Sequence, residues 1–335
     1  MSCMLLLGAG FSRNWGGWLA AEAFEYLLGW PEVNSNAFLS DLLWRSQLAG
    51  GFENALAELQ DLVRREPAHA DDLQSLRGAV LGMFNLMNQC FFGLQNFDQN
   101  NDGNLAIRPF LTNFDAIFTL NQDLLLEYHY LTHDVALLAN PLGRRRWHGS
   151  TIPGMRSVPD PNRHPMQHWF GNWTPAPAEG FRVEAGCQPY IKLHGSSNWT
   201  QNDQGGPMLI MGGNKANEIG LVPVLQWYQT LLTEYLTRGD SRLMVIGYGF
   251  RDDHINEIIA DAVTNHNLKL FVVSPDGADQ ARKIAPTAGA AIQQRTALED
   301  VFQRGLIGAS RRSIHEIFSG RDPIELSKLQ RFVEE

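Results

Sequence analysis

The chain has 335 residues, 44% of them hydrophobic and 19% charged, which is enough to bury one large core or two unequal ones and excludes a disordered, low-complexity chain. Its net charge of −9 excludes the general electrostatic footprint of a nucleic-acid or anionic-membrane binder. Its three cysteines, Cys3, Cys90 and Cys187, are odd in number, scattered and free of any Cys-x-x-Cys pair, which excludes a disulfide framework and a four-cysteine zinc site.

The first ten residues lack the basic leader and apolar length of a signal peptide, and no segment approaches the run of about 20 apolar residues of a membrane helix. A cytoplasmic, non-membrane protein is therefore expected. Residues 4–7 form a short continuous apolar run, the pattern of a buried strand, which enters the glycine turn Gly8-Ala9-Gly10-Phe11-Ser12. Residues 18–28 have helical spacing, and residues 51–90 hold further amphipathic segments, with Leu56, Leu59, Leu62 and Val63 on one face. Residues 96–104 form a polar loop. Its Asp98, Asn100 and Asp102 have calcium-loop spacing without the downstream glutamate, so it reads as a surface connection.

A second strand is predicted over 115–120, ending at Thr119-Leu120-Asn121-Gln122-Asp123 and leading into a leucine-rich helix. Regular pattern then dissolves over about 141–189, a stretch rich in Pro, Gly, Trp and His that reads as an insertion or small lobe. His164 and His168 have metal-like spacing, but Pro165 argues against one helix presenting both, and no metal is expected. The runs Arg144-Arg145-Arg146 and Arg311-Arg312 read as solvated surface. Strand-like pattern resumes at 190–193 and stops at Leu193-His194-Gly195-Ser196. A helix is predicted over 224–237, a strand over 243–246 ending at Gly247-Tyr248-Gly249, and a helix over 252–266. A last strand over 268–273 ends at Ser274-Pro275-Asp276. The remainder reads as helical. The predicted fold is α/β: a Rossmann-like open, mostly parallel sheet with helices on both faces, with a catalytic domain over 1–285 and a helical extension over 286–335.

Open parallel sheets bind ligands beyond the carboxyl ends of their strands, so the strand ends carry the candidate chemistry. The turn at 8–12 is either a phosphate cradle, with Ser12 donating its hydroxyl, or a plain strand–helix turn. Asn121 and Asp123 either face a ligand or cap the following helix. His194 is either a cleft residue or a hydrogen-bonded structural histidine. The glycines at 247 and 249 let backbone approach a ribose or phosphate, and Asp252 reads as the cap of the next helix. Ser274 stands where an adenosine edge is read.

Taken together, Gly-Ala-Gly-x-Ser at 8–12, Thr-x-Asn-x-Asp at 119–123, Leu-His-Gly at 193–195 and the glycine strand end at 247 occur in the order found in sirtuins. The chain resembles sirtuins over about residues 4–277. The phrases Gly-Ala-Gly-Phe-Ser-Arg-Asn-Trp-Gly-Gly and Gly-Tyr-Gly-Phe-Arg-Asp-Asp-His-Ile are most similar to the sirtuin-like domains of bacterial antiphage defence proteins. The chain departs from sirtuin deacetylases in lacking their four-cysteine zinc module and their Phe-Gly-Glu segment. Gly17-Trp18 replaces the proline after the first loop, and Gly249 replaces the usual serine. The resemblance thus implies an enzyme that holds and breaks NAD⁺ but does not deacylate lysine.

On that resemblance Asn121 fixes the ribose and admits water, His194 is a histidine poised near neutral pH to accept a proton, and Asp123 orients the loop or the ribose. Gly8, Ala9, Gly10, Phe11 and Ser12 hold the pyrophosphate, while Thr119, Gly247, Tyr248, Gly249 and Ser274 complete the NAD⁺ site. The expected reaction is NAD⁺ glycohydrolysis to nicotinamide and ADP-ribose or a cyclic product. The alternatives are an ADP-ribosyltransferase and a non-catalytic NAD⁺ or ADP-ribose sensor. An uncontrolled NADase is toxic to its host, so a homo-oligomer or a regulatory subunit such as a HerA-type ATPase is expected. Trp147, Trp169 and Trp173 stand either at such a contact, in the cleft or within the small lobe.

Overall fold

The computed structural model describes residues 2–48, 50–99, 106–132, 147, 149–159, 171–202, 206–212, 215–280 and 297–334. Arg144 to Arg146, His164, His168, Trp169, Asn100 and Asp102 lie outside the described residues.

Eleven strands are described in chain order: β1 Ser2–Leu7, β2 Ala116–Thr119, β3 Ser150–Thr151, β4 Met155–Ser157, β5 Trp173–Pro175, β6 Gln188–Lys192, β7 Gly195–Thr200, β8 Pro207–Leu209, β9 Ser241–Ile246, β10 Lys269–Val273 and β11 Leu306–Ser310. Seven form one sheet in the order β11-β10-β9-β1-β2-β6-β3. Every neighbouring pair in it is parallel. This is the open Rossmann-like α/β sheet expected from the sequence. Met4, Leu5, Leu6 and Leu7 of the central strand are fully buried, because a parallel strand covered on both faces has no solvent side.

From β1 the chain passes through a helical layer, including Phe52–Arg65 and Ala70–Phe92, before returning as β2. Helix Pro223–Leu236 packs on β1 and β9, and helix Asp253–His266 packs against it and against Ala297–Gly305. The strand order reverses beside β1: the chain moves to β2 on one side, while β9, β10 and β11 lie on the other. Such a reversal opens a crevice at the strands' carboxyl ends.

One expectation needs correction. The stretch after residue 285 is not purely helical: besides helices Ala297–Gly305, Ile314–Phe318 and Pro323–Glu334 it supplies β11, the edge strand beside β10. The sequence Leu-Ile-Gly-Ala-Ser hides the strand, since its apolar pattern stops at Gly308. A Cβ there would lie 2.5 Å from the Phe271 ring, so the small residue is what lets the edge strand close against β10. The described part of 141–189, expected as an insertion or small lobe, holds β3, β4, β5 and the start of β6. β3 extends the main sheet, and β4 and β5 join β7 and β8 in a second, four-stranded sheet. Strands of two or three residues are too short to leave a periodic signature. This lobe is tied to helix Pro223–Leu236: Phe181 stacks on Trp227 at 5.2 Å, and the Tyr228 hydroxyl donates to the Pro153 carbonyl at 2.5 Å. Trp173 is buried within it. No helix of the described residues is long and apolar enough to cross a membrane.

Candidate active site

Register brings the predicted motifs to one level. Leu7 pairs with Thr119 and Ile246, Thr119 pairs with Lys192, and Ile246 pairs with Val273. One step further along each strand, Gly8, Leu120, Leu193, Gly247 and Ser274 form a row. Asn121 and His194 are both two residues past a paired position on adjacent parallel strands, whose spacing is about 4.8 Å. Neighbouring strand ends therefore carry the two residues that the sequence singles out.

At the β1–β9 boundary the glycines serve packing. Gly247 has φ of 66°, and a Cβ on it would lie 2.3 Å from the Phe11 nitrogen. Cβ atoms on Gly8 and Gly10 would meet the Gly247–Tyr248 backbone at 2.6 and 2.7 Å. Backbone hydrogen bonds lock this approach: Gly8 N–H donates to the Ile246 carbonyl and Gly10 N–H to the Gly247 carbonyl, each at 3.0 Å, and Phe11 N–H donates to the Gly8 carbonyl at 2.8 Å. These amides are thus engaged inside the fold. Ala9 and Gly249 are exposed. The Phe11 ring is buried against Trp15. The Tyr248 hydroxyl accepts from Asp252 N–H at 3.1 Å and lies 3.0 Å from Asn256 Oδ1. The Ser274 hydroxyl accepts from Gly277 N–H at 3.0 Å, closing its own turn.

At the β1–β2 boundary, side chains make the contact. The Ser12 hydroxyl donates to Asp123 Oδ2 at 2.8 Å and accepts from Asn121 Nδ2 at 3.0 Å. Its proton is therefore directed to Asp123 rather than to a phosphate. Asp123 Oδ1 accepts from Leu125 N–H at 3.1 Å, so this carboxylate both caps the next turn and fixes Ser12. Thr119 Oγ1 accepts from Asn121 N–H at 3.0 Å, which sets the bend of the loop. With its amide nitrogen held by Ser12, Asn121 keeps one unpaired group: Oδ1 is buried with no hydrogen-bond partner among the described residues. A buried acceptor left unmatched costs about 1–3 kcal/mol, a cost that a ligand hydroxyl or water would relieve.

At the β2–β6 boundary the His194 backbone is clamped. Its carbonyl accepts from Ile210 N–H at 3.0 Å and from Gln122 Nε2 at 3.2 Å. Gly195 follows with φ of 73°, where a Cβ would strike the Met208 carbonyl oxygen at 2.2 Å. The glycine after the histidine is thus a steric need of the turn into β7. The His194 ring is buried, with Nε2 3.1 Å from Nε2 of His254. Asp252 stands beside them and accepts from Lys215 Nζ at 2.7 Å. Lys215 also pairs with Glu53 at 2.6 Å. Asp252 occupies the helix N-cap position but makes no side-chain cap bond, contrary to the sequence expectation, because Lys215 takes its carboxylate.

Electrostatics correct one expectation about His194. Burial, with further opposition from Lys215 and His254, outweighs Asp252 and pushes its pKa down to about 3. It is not poised near neutrality; it is a neutral imidazole throughout the physiological range. Burial likewise lowers the pKa of His254. Burial also opposes the charge of Lys215, yet Glu53 and Asp252 prevail and raise its pKa. Beneath the site, Lys192 donates to the Asp123 carbonyl and to Glu127, each at 2.6 Å, and Lys192 and Glu127 form a fully buried ion pair.

Gln122, Lys192, Lys215, Glu53 and His254 are absent from the sequence-derived site. His254 alone had a usable signal: it falls in the first turn of the helix after β9, where side chains border the strand ends.

Residues 115–292, more than half of the chain, match the family described as SIR2-like domain. The match takes in β2, β6, β9 and β10 with the loops that bear Asn121, His194 and Gly247. No curated protein matches the chain.

Proposed function

The chain belongs to the SIR2-like domain family, whose activity is NAD⁺-dependent, and from that premise we propose that it is an NAD⁺ glycohydrolase. The observation that carries this reading is the buried, unpartnered Oδ1 of Asn121, level with the neutral ring of His194 on the adjacent strand.

Nicotinamide leaves a cationic pyridinium as a neutral base, taking the electron pair of the ribose–nitrogen bond, so no general acid is required. The transition state is oxocarbenium-like, as in glycoside hydrolysis. A site for it must hold the ribose, admit water and carry no opposing positive charge. Asn121 Oδ1 supplies an acceptor for a ribose hydroxyl or the incoming water, and Ser12 prevents the amide from turning away. His194, held neutral by burial, accepts a hydrogen bond without repelling the cation. An imidazole of such low basicity serves this role better than it serves as a general base, whose optimum lies near the working pH. Water adds to the anomeric carbon, its proton passes to solvent, and ADP-ribose is released. The loop at 8–12 and the turn at 247–249, with Thr119 and Ser274, border the remainder of NAD⁺ in this reading, and no metal takes part in the chemistry.

The similarity of residues 8–17 and 247–255 to defence proteins supports a role as an NAD⁺-depleting antiphage effector, controlled by self-assembly or by a partner such as a HerA-type ATPase. Incubation of the pure chain with NAD⁺, with nicotinamide and ADP-ribose followed by chromatography, tests the activity. Equimolar release of the two products is expected. Transfer of ADP-ribose to protein would instead identify a transferase, and tight NAD⁺ binding without turnover a sensor.

A further inference from the structure

We infer that His194, His254 and Asp252 form a binding site for one transition-metal dication of the zinc class, and that its occupation shuts down the active site. The inhibitory half of this inference rests on the proposed hydrolase; the binding half does not. One ligand atom from each residue lies within 4.8 Å of the other two. The two imidazole nitrogens, both Nε2, are 3.1 Å apart. Bonds of about 2.0–2.1 Å in a tetrahedral zinc site place neighbouring donors about 3.3–3.4 Å apart, so a slight spreading of the two rings accommodates the ion.

The donor set selects the class of ion. Two imidazoles and one carboxylate suit zinc, cobalt and their neighbours, whereas magnesium and calcium require oxygen-rich shells. Three protein ligands with one open position is the arrangement of zinc sites that bind a further molecule. His254 and Asp252 are partly exposed, which gives the ion an entry route and room for that fourth ligand. The charge balance is also suitable. Lys215 is bracketed by Glu53 and Asp252, so one cation and two carboxylates leave a single negative charge beside two imidazoles. Lys215 holds Asp252 Oδ1, leaving the other carboxylate oxygen for the ion.

A metal on Nε2 of His194 removes the acceptor that the hydrolase reading assigns to it. It also places a dication where a cationic transition state must form. The site is thus a means of holding the enzyme silent while zinc is available, distinct from the structural zinc of four cysteines that this chain cannot build.

The test uses the full chain, stripped with chelator and desalted. Titration with Co²⁺ should give the visible absorption of a tetrahedral cobalt site saturating at one equivalent, and Zn²⁺ should displace it. Loss of a partner that merely supports a ligand costs about 10–100-fold in affinity, so His254→Gln and Asp252→Asn should each weaken Co²⁺ binding by about 100-fold or more. His266→Ala, on a half-buried histidine at the far end of the same helix, should leave it intact. X-ray absorption of the zinc-loaded wild type should report two imidazoles and an oxygen donor, and needs no variant to fold. Absence of binding, a sulfur shell, or a site unchanged in His254→Gln overturns the inference. Chain that binds Co²⁺ in this way but never cleaves NAD⁺ refutes the hydrolase and leaves the metal site standing. Chain that cleaves NAD⁺ at the same rate with the site filled refutes the inhibition alone.

Discussion

Between β1 and β9 the strand-end loops meet as bare backbone, with Gly8, Gly10 and Gly247 so close that no Cβ fits. Between β2 and β6, and across to Ser12, they meet through side chains: Ser12 with Asn121 and Asp123, and Gln122 with the His194 carbonyl, while the His194 ring reaches over to His254 on the helix after β9. The same sheet edge is thus rigid by shape on one side and by hydrogen bonding on the other. Shape suits the unreactive remainder of a dinucleotide, which needs only a surface. Side-chain networks suit the reacting ribose, where individual acceptors must be held in place.

Substitutions that spare one side and damage the other sharpen this contrast. Asn121→Ala and His194→Ala should each lower NAD⁺ cleavage by about 10²–10⁴-fold, with melting temperatures near that of wild type. Rates and melting curves taken on the same preparations decide the matter: well-folded variants that keep the wild-type rate would remove both residues from the chemistry. Lys192→Met leaves Glu127 buried without its counter-charge, where burial already raises the pKa of this carboxyl, so the variant should be destabilised by about 3–5 kcal/mol in denaturant unfolding. Pairing it with Glu127→Gln should recover most of that loss, and failure to recover would mean that the ion pair is not what Lys192 contributes. Gly10→Ala should cost about 1–3 kcal/mol through overpacking against Gly247. It should also raise KM more than it lowers kcat, the opposite of Asn121→Ala.

The smallest expected effect is a pH dependence located away from both loops. His129 is buried against Phe97, and its Nε2 lies 2.6 Å from the Phe91 carbonyl. Burial lowers its pKa. In the unfolded chain it takes up a proton near pH 6.5, whereas the folded chain resists until lower pH. Between the two values the unfolded state binds more protons, so this contribution is complete above about 6.5 and is lost as pH falls below it. Unfolding followed from pH 7.5 to 5 should show a shallower acid loss in His129→Gln than in wild type; equal slopes would exclude His129 as a source.

Much of the frame could be read directly. Continuous apolar runs ending in glycine or small polar residues mark β1, β2, β9 and β10, because buried parallel strands leave that trace. Asn121 and His194 each directly follow such a run, and the resemblance to sirtuins is what singles them out from other residues at strand ends. What escaped came from elsewhere in the chain. Glu53 and Lys215 reach Asp252 from different helices, and nothing local in either helix encodes that meeting. Gln122 looked like one polar loop residue among several, although its amide joins the His194 and Ile210 carbonyls. The lowered pKa of His194 is not legible in its local sequence, because burial, which sets it, is a property of the folded surroundings rather than of the residue. The glycines at 8, 10 and 247 signal a close approach, and within the fold the partner that approaches is the backbone of the other strand end.

That interlock has a mechanical consequence. With no side chain to compress and two amides joined to carbonyls across the seam, residues 8–11 and 246–248 form one body rather than two adjustable lips. A ligand that displaces the turn at Gly247 must carry the first loop with it. Ser12 closes the helical turn Ala9–Ser12 that continues from it, and its hydroxyl is the hinge-pin for the Asn121 amide. Occupancy at the far end of the crevice is therefore transmitted, through a rigid seam and one hydroxyl, to the orientation of the acceptor at the other end.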